Sequence, residues 1–295
     1  MIDSVRAQTF LDWELLIVND GSTDGGDILA RTSAAQDARV TVIDGANAGP
    51  GAARNRGVAA ASGEWILFLD ADDLIAPLHL AELLAAAARR CTADIVAAGW
   101  QEFRDGQPAE LATKLPAGLD APISCLRDSA VAFAPWAVHA ALVRRAVLTG
   151  GRRWPEHLDL LLGEDIAFWF ALIIDCDVTY SRTNGALYRR LPASRTNFEP
   201  RRWFDGVHVA VRENLALLQR SDRPLTLGHA EHLMRLYSGI YRLALDSSDA
   251  VVAEAALTEA DGWLRRCCQL GGSRRFSIRI RAAIGLKLFS RLRKR

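Results

Sequence analysis

Residues 63–73 read Gly63-Glu64-Trp65-Ile66-Leu67-Phe68-Leu69-Asp70-Ala71-Asp72-Asp73. An apolar run of strand length ends abruptly in three carboxylates. Crowded together, these acids raise one another's pKa unless something positive lies between them. A divalent cation, Mg²⁺ or Mn²⁺, is the natural compensation, since hard cations combine one or two carboxylates with substrate phosphates. Strand side chains alternate, so Asp70 and Asp72 share a side. Taken alone the D-x-D pattern is weak. Acids also favour helix N-termini, and an alanine-rich helix is expected to begin at Pro77, which makes Asp73 a candidate for its cap.

Outward from this stretch, strand and helix signals alternate. Glu14–Val18 is a short apolar run ending in Asn19-Asp20-Gly21-Ser22, followed by a helical pattern over 25–35. Arg39–Ile43 reads as a strand, 44–51 as a glycine-rich turn, and 52–61 as a helix. Asp94–Ala98 reads as a further strand. Such alternation predicts βαβ units and a mainly parallel sheet, with ligands outside the carboxyl ends of the strands. Asp20, the 44–51 loop and the 70–73 cluster should then meet in one crevice. Residues 100–135 are irregular, with a strand or two. Residues 136–148 read as strand then helix, 158–174 as helical around Gly163-Glu164-Asp165, and 178–188 as strand-like. From Arg201 onward the pattern is helical.

Two further segments carry chemistry. In 18–24, Val18-Asn19-Asp20-Gly21-Ser22-Thr23-Asp24, the glycine allows a turn, Ser22 or Asp24 can cap the next helix, and Asp20 can accept a hydrogen bond from a base N–H. In 47–57, Asn47-Ala48-Gly49-Pro50-Gly51-Ala52-Ala53-Arg54-Asn55-Arg56-Gly57, small residues bring backbone close to a ligand and Arg54 can pair with phosphate. The G-x-G-x-x-G pattern is not formed, which disfavours a dinucleotide. Each segment by itself reads equally as a turn leading into a capped helix.

Together, these segments resemble the family 2 glycosyltransferases. That family reads S-V-x-x-Q-T, V-D-D-G-S-T-D, G-x-x-x-A-R-N-x-G and G-E-(aromatic)-x-x-F-L-D-x-D-D. This chain has Ser4-Val5 with Gln8-Thr9, then 18–24, then Gly49 with Ala53-Arg54-Asn55 and Gly57, then 63–73. The match is continuous over residues 4 to about 80. Beyond residue 100 it rests on Glu164-Asp165 and on Tyr188-Arg189.

The resemblance implies an α/β, three-layer sandwich of the A-type nucleotide-diphospho-sugar fold, with a mainly parallel central sheet and a helical C-terminal extension. It implies a transferase domain over 1–200, with its nucleotide-binding half at 1–100 and its acceptor half at 101–200, and a helical region over 201–295. The donor would be a nucleotide-sugar, with uracil the expected base, and the acceptor a glycan or lipid-linked hydroxyl in cell-surface or polysaccharide synthesis. Carried over by position, Asp20 meets the nucleobase. Gly49, Arg54, Asp70 and Ala71 line the nucleotide-sugar, and Asp72, with Asp70, holds the Mn²⁺ or Mg²⁺. Asp165 is the general base of an inverting displacement. A plain helix-start role for the Glu164-Asp165 pair is the competing reading.

The chain also departs from the pattern. The family opens with an apolar strand some twenty to thirty residues before S-V-x-x-Q-T, whereas this sequence begins at Met1 inside the helix expected to follow, and Asn19 replaces the commoner first Asp. A missing first strand is therefore expected, and a truncated, inactive relative acting as a binding module is one alternative. A phosphotransferase of haloacid-dehalogenase type is another, less supported because Asp73-Leu74 replaces the usual continuation of that motif.

Composition agrees with a folded domain of moderate size. Half of the 295 residues are apolar and the formal net charge is +1, which gives no reason to expect nucleic acid as a partner. The five cysteines lack C-x-x-C spacing and read as free thiols of a reducing compartment. The sequence has no signal-peptide pattern, and its longest apolar run, 166–174, is about half a membrane span. A cytoplasmic protein is expected. The tail from Ser273 holds nine Arg or Lys and no acid. With Ile280, Ile284, Leu288 and Leu292 four residues apart, it reads either as a solvated end helix or as a peripheral contact with an anionic membrane.

Overall fold

A computed structural model of the chain describes residues 1–105, 113–191, 199–272 and 275–287. These fall into two compact units, the first made of 1–120, 135–160 and 172–194, the second of 121–134, 161–171 and 195–295. In chain order the elements are α1 (Ile2–Arg6), β1 (Leu15–Asn19), α2 (Gly26–Gln36), β2 (Val40–Asp44), α3 (Pro50–Ala60), β3 (Trp65–Leu67), β4 (Leu74–Ile75), α4 (His79–Arg89), β5 (Ile95–Ala97), β6 (Trp100–Phe103) and β7 (Thr113–Lys114). There follow α5 (Ile123–Ala130), β8 (Ala141–Arg144), α6 (Arg145–Thr149), α7 (Glu164–Ile173), β9 (Val178–Tyr180), β10 (Ala186–Arg189), α8 (Pro200–Arg220), α9 (Leu227–Asp246), α10 (Ala250–Gln269) and α11 (Phe276–Ile284).

Every described strand lies in the first unit, and the strands form three sheets rather than one mainly parallel one. β1 and β2 pair in parallel, from Leu15 opposite Val40 to Asn19 opposite Asp44. A second sheet has the order β3-β8-β5-β9 and a third β4-β10-β6-β7. The departure from the expected parallel sheet has a definite cause. β8 sits between β3 and β5 and runs antiparallel to both, and only β9 is parallel to β5. Alternating strand and helix signals report which segments are strands, but the period of two carries no strand direction.

The core of this unit follows from sequence pattern. β5 is buried along its whole length, as a strand covered on both faces should be. α4 presents Leu83, Ala86 and Ala87 at helical spacing to Val96, Ala98 and Leu142. Pro77 does not open α4, whose N-cap is Leu78. α3 begins with Pro50 at its first position after Gly49, whose φ of +103° is a conformation glycine adopts freely.

The second unit is helical among its described residues. α9 and α10 are joined by only three residues, 247–249, as antiparallel neighbours require. Thr226 and His229 form a reciprocal capping box at the start of α9, and the Asp249 side chain caps α10 by accepting the Val252 N–H at 3.0 Å. α10 buries the small series Val252, Ala253, Ala256, Ala260, Leu264 and Cys267. Buried Glu231 is held by Arg275 at 2.7 and 2.8 Å. Among the described residues no helix is long and apolar enough to cross a membrane. Leu288 and Leu292 of the basic tail lie outside the described residues.

Candidate functional site

The three motif segments meet around α3. Asp20 directly follows β1, and its carboxylate accepts the Ala48 N–H at 3.1 Å from each oxygen, the Gly49 N–H at 2.7 Å and an Arg56 guanidinium N–H at 2.9 Å. An ionised carboxylate offers about four acceptor positions, and these contacts fill them. Asp20 therefore clamps the 44–51 loop to the start of α3.

One turn along the helix, Arg54 reaches in the other direction. Its guanidinium donates to Asp70 Oδ1 at 2.7 Å and lies 4.3 Å from the centre of the Trp154 ring. Trp154 is buried and stands edge-on to Phe68, ring centres 5.3 Å apart. Asn55 fixes the backbone of the same tryptophan. Its Oδ1 accepts the Trp154 N–H at 2.9 Å, while Nδ2 donates to the Trp154 carbonyl at 3.0 Å and to Glu156 at 2.8 Å. The Ala53-Arg54-Asn55 triplet thus has two structural duties, to pair Asp70 and to anchor residues 154–156.

Asp159 was not singled out by the sequence pattern. It is buried, and its carboxylate accepts the Gly51 N–H at 2.8 Å and the Ala52 N–H at 3.0 Å. These are free N–H groups of the first turn of α3, the place where a helix ordinarily binds an external anion. Here an internal anion fills it. The glycines have a steric reason as well: a Cβ on Gly49 or on Gly51 would come within 2.5 Å of the Asp159 side chain.

The three acids after β3 have three environments. Asp70 is half exposed and paired with Arg54. Asp72 is exposed, and among the described residues its carboxylate has no ion pair or hydrogen bond. Ala71 is exposed between them. Asp73 is buried and does not cap α4. It accepts the Arg189 N–H at 2.8 Å and faces His139 Nδ1 at 3.1 Å. Burial, followed by the nearby charges of Asp70 and Asp72, pushes the Asp73 carboxyl up to about 7. Burial pulls His139 and the adjacent His79 down to about 4, so both rings are neutral near pH 7. His79 Nε2 lies 3.0 Å from the His139 carbonyl.

Among the described residues no three His, Cys, Asp or Glu side chains converge as a closed metal cage. Two hard carboxylates on an accessible turn are instead the donor set for a cation that completes its shell with phosphate and water. Asp70 and Asp72 fit that description, and buried Asp73 does not.

Glu164 and Asp165 open α7 in the second unit. Asp165 Oδ1 accepts the Ile166 N–H at 2.8 Å, and Glu164 accepts the Gly163 N–H at 3.2 Å. Gly163, with φ of +124°, lies so close to α8 that a Cβ on Gly206 would sit 1.9 Å from the Leu162 carbonyl oxygen. The helix carrying the acidic pair is therefore set by backbone-to-backbone approach.

Comparison with known proteins gives one family: the description Glycosyl transferase family 2 matches residues 1–133. The glycosyltransferase EpsJ of Bacillus subtilis (strain 168) is 33% identical over 175 residues, covering 57% of this chain and 47% of EpsJ. The chain spans half or less of the curated relatives EpsH and EpsJ that it matches. Among solved structures, S. aureus TarS 1-349 in complex with UDP-GlcNAc superposes with TM-score 0.65 at 17% identity, covering 92% of this chain and 78% of that one. The mannosyltransferase PcManGT from Pyrobaculum calidifontis, in complex with GDP-Man and Mn²⁺, superposes with TM-score 0.55 at 16% identity, covering 98% and 80%. At these identities the structural likeness speaks for the fold: α/β of GT-A type with a helical C-terminal region.

Proposed function

We propose that this chain, whose residues 1–133 match the description Glycosyl transferase family 2, transfers a sugar from a nucleoside-diphosphate donor to an acceptor hydroxyl. The observation that carries the proposal is the convergence on α3. Arg56 and the Gly49 N–H hold Asp20, Arg54 holds Asp70, and the exposed Asp72 follows directly. The donor is taken to be a UDP-sugar, the setting the synthesis of a cell-surface glycan or polysaccharide, and the protein cytoplasmic.

In this reading Asp70 and Asp72 would hold a divalent cation, Mn²⁺ or Mg²⁺, which would supply positive charge to offset that of a departing diphosphate. Asp20 fixes the loop that the nucleotide meets, and a direct contact with the base would exchange one of its present hydrogen bonds. The first turn of α3 does not receive the diphosphate, because Asp159 occupies it. Asp165 takes the proton of the acceptor hydroxyl as that oxygen bonds to the anomeric carbon and the bond to the diphosphate breaks, with inversion. The domain reading that goes with this proposal is a transferase domain over 1–200 followed by the helical region 201–295.

Calorimetric titration of UDP and of GDP, each with and without Mn²⁺, tests the donor site. Metal-dependent binding is expected, and absence of binding by either nucleotide removes the sugar-nucleotide reading. The Asp165→Asn variant should bind donor normally and lose transfer; retained turnover would dismiss Asp165 as the base.

A further inference from the structure

Arg189 ends β10 and makes two contacts with the acidic turn and one with Asp105, just beyond β6. Its backbone N–H goes to the buried Asp73 carboxylate at 2.8 Å. Its Nε donates to the backbone carbonyl of Asp72 at 2.5 Å, and its Nη1 pairs with Asp105. The guanidinium carbon lies over the ring of Phe103, its register partner on β6, 4.7 Å from the ring centre. An arginine beside three carboxylates would ordinarily take the most accessible one as a bidentate partner. This one takes the carbonyl of Asp72 instead, and the Asp72 carboxylate is left without a protein partner among the described residues.

We propose that Arg189 is a positioning residue for Asp72, holding the backbone of the acidic turn so that the Asp72 carboxylate is fixed and free to ligate the cation. The inference rests on the sugar-nucleotide reading above and adds a residue to it. Each partner has a separate share. Asp73 is the inner anchor, inaccessible to a cation and tied to the sheet through the Arg189 N–H. Asp105 and Phe103 hold the guanidinium from outside, which sets the height of the Asp72 carbonyl. Lysine could supply one donor to that carbonyl but not the planar fork that also reaches Asp105 and lies over Phe103.

The test is Mn²⁺ binding in the presence of UDP or GDP, read by the electron paramagnetic resonance signal of free Mn²⁺, beside nucleotide affinity in EDTA and the melting temperature. Arg189→Met should weaken Mn²⁺ binding about tenfold to a hundredfold, as loss of an orienting partner does, while nucleotide affinity without metal stays unchanged. Arg189→Lys should fall between. Asp105→Asn, an exposed change outside the sheets, should give a smaller loss of the same sign, and keeps the proposal testable where Arg189→Met does not fold. Unchanged Mn²⁺ affinity in the Lys and Asp105 variants overturns the proposal. So does a parallel fall in metal-free nucleotide affinity and melting temperature, which would mark Arg189 as structural only. If the unaltered chain shows no metal-dependent nucleotide binding, the sugar-nucleotide reading fails and the positioning role falls with it, an outcome distinct from an unaffected variant.

Discussion

The Asp159 carboxylate accepts the Gly51 N–H at 2.8 Å across 108 residues of sequence. The first turn of α3 therefore carries its own counter-charge. Removing it in Asp159→Ala leaves two buried N–H groups without an acceptor. The expected loss is about 1–3 kcal/mol of stability, read by urea denaturation. The variant should also acquire what the parent lacks, an anion site at the helix start. Sulfate should raise the melting temperature of Asp159→Ala more than that of the unaltered protein.

Asp20 holds its loop through Ala48, Gly49 and Arg56. Asp20→Ala should release the loop while leaving β1 and β2 paired. Limited proteolysis should then cut between residues 44 and 51, where the parent resists, and UDP affinity should drop by about tenfold or more, the equivalent of one charge-assisted hydrogen bond. An uncut loop with normal affinity would refute this account of Asp20.

Gly206 faces Leu162 with no room for a methyl group. Gly206→Ala needs a backbone shift at the residue preceding Gly163, and overpacking of this kind costs about 1–3 kcal/mol. Thermal denaturation should show the loss. Gly239→Ala, where an added Cβ would meet nothing within 4 Å, is the control and should be neutral or mildly stabilising.

The buried trio Asp73, His79 and His139 gives stability a pH dependence of two signs. His79 and His139 are lowered from 6.5 to about 4 by burial. The unfolded chain binds protons below pH 6.5 that the folded chain refuses, so this contribution is present above pH 6.5 and is lost as pH falls towards 4. Asp73 is raised from 3.8 to about 7. Its contribution is present below pH 3.8 and is lost as pH rises through 7. Asp73→Asn mimics the protonated acid, so relative to the parent it should be more stable at pH 8 than at pH 5. An equal difference at both pH values, measured by denaturant midpoint, would contradict the assignment.

Much of the fold was legible because local pattern and tertiary place agree. Glu14–Val18, Arg39–Ile43 and Asp94–Ala98 are apolar runs of strand length, and each became a strand within a residue or two. The helix read over 52–61 starts two residues earlier, at Pro50, since proline suits the first helical position. Three things were not legible, each for a physical reason. The direction of β8 is set by its neighbours, not by its own alternation. Residues 178–188 read as one strand-like stretch, yet β9 and β10 belong to different sheets, because pairing partners are chosen by the rest of the fold. Asp159 looked like any acid in a mixed segment, since a side chain that caps a helix from a distant part of the chain leaves no periodic trace. For the site, the residue types announced a cation, but the difference between open Asp72 and buried Asp73 needed Arg189 and His139, which lie 117 and 66 positions from Asp72 and Asp73 respectively.

The antiparallel insertion of β8 has a consequence for the order of assembly. β3 and β5 are both synthesised before residue 98, yet they do not pair with each other; the strand that joins them spans 141–144. A ribosome that has released only the first hundred residues has made the acidic turn without the sheet that supports it. Closure of that sheet waits for long-range contacts, which slow folding; β9 completes it later still, and β10 joins the other four-stranded sheet after that. Nascent chains arrested before residue 140 should therefore be captured by chaperones, and those arrested beyond 190 should resist protease across β3 and β5.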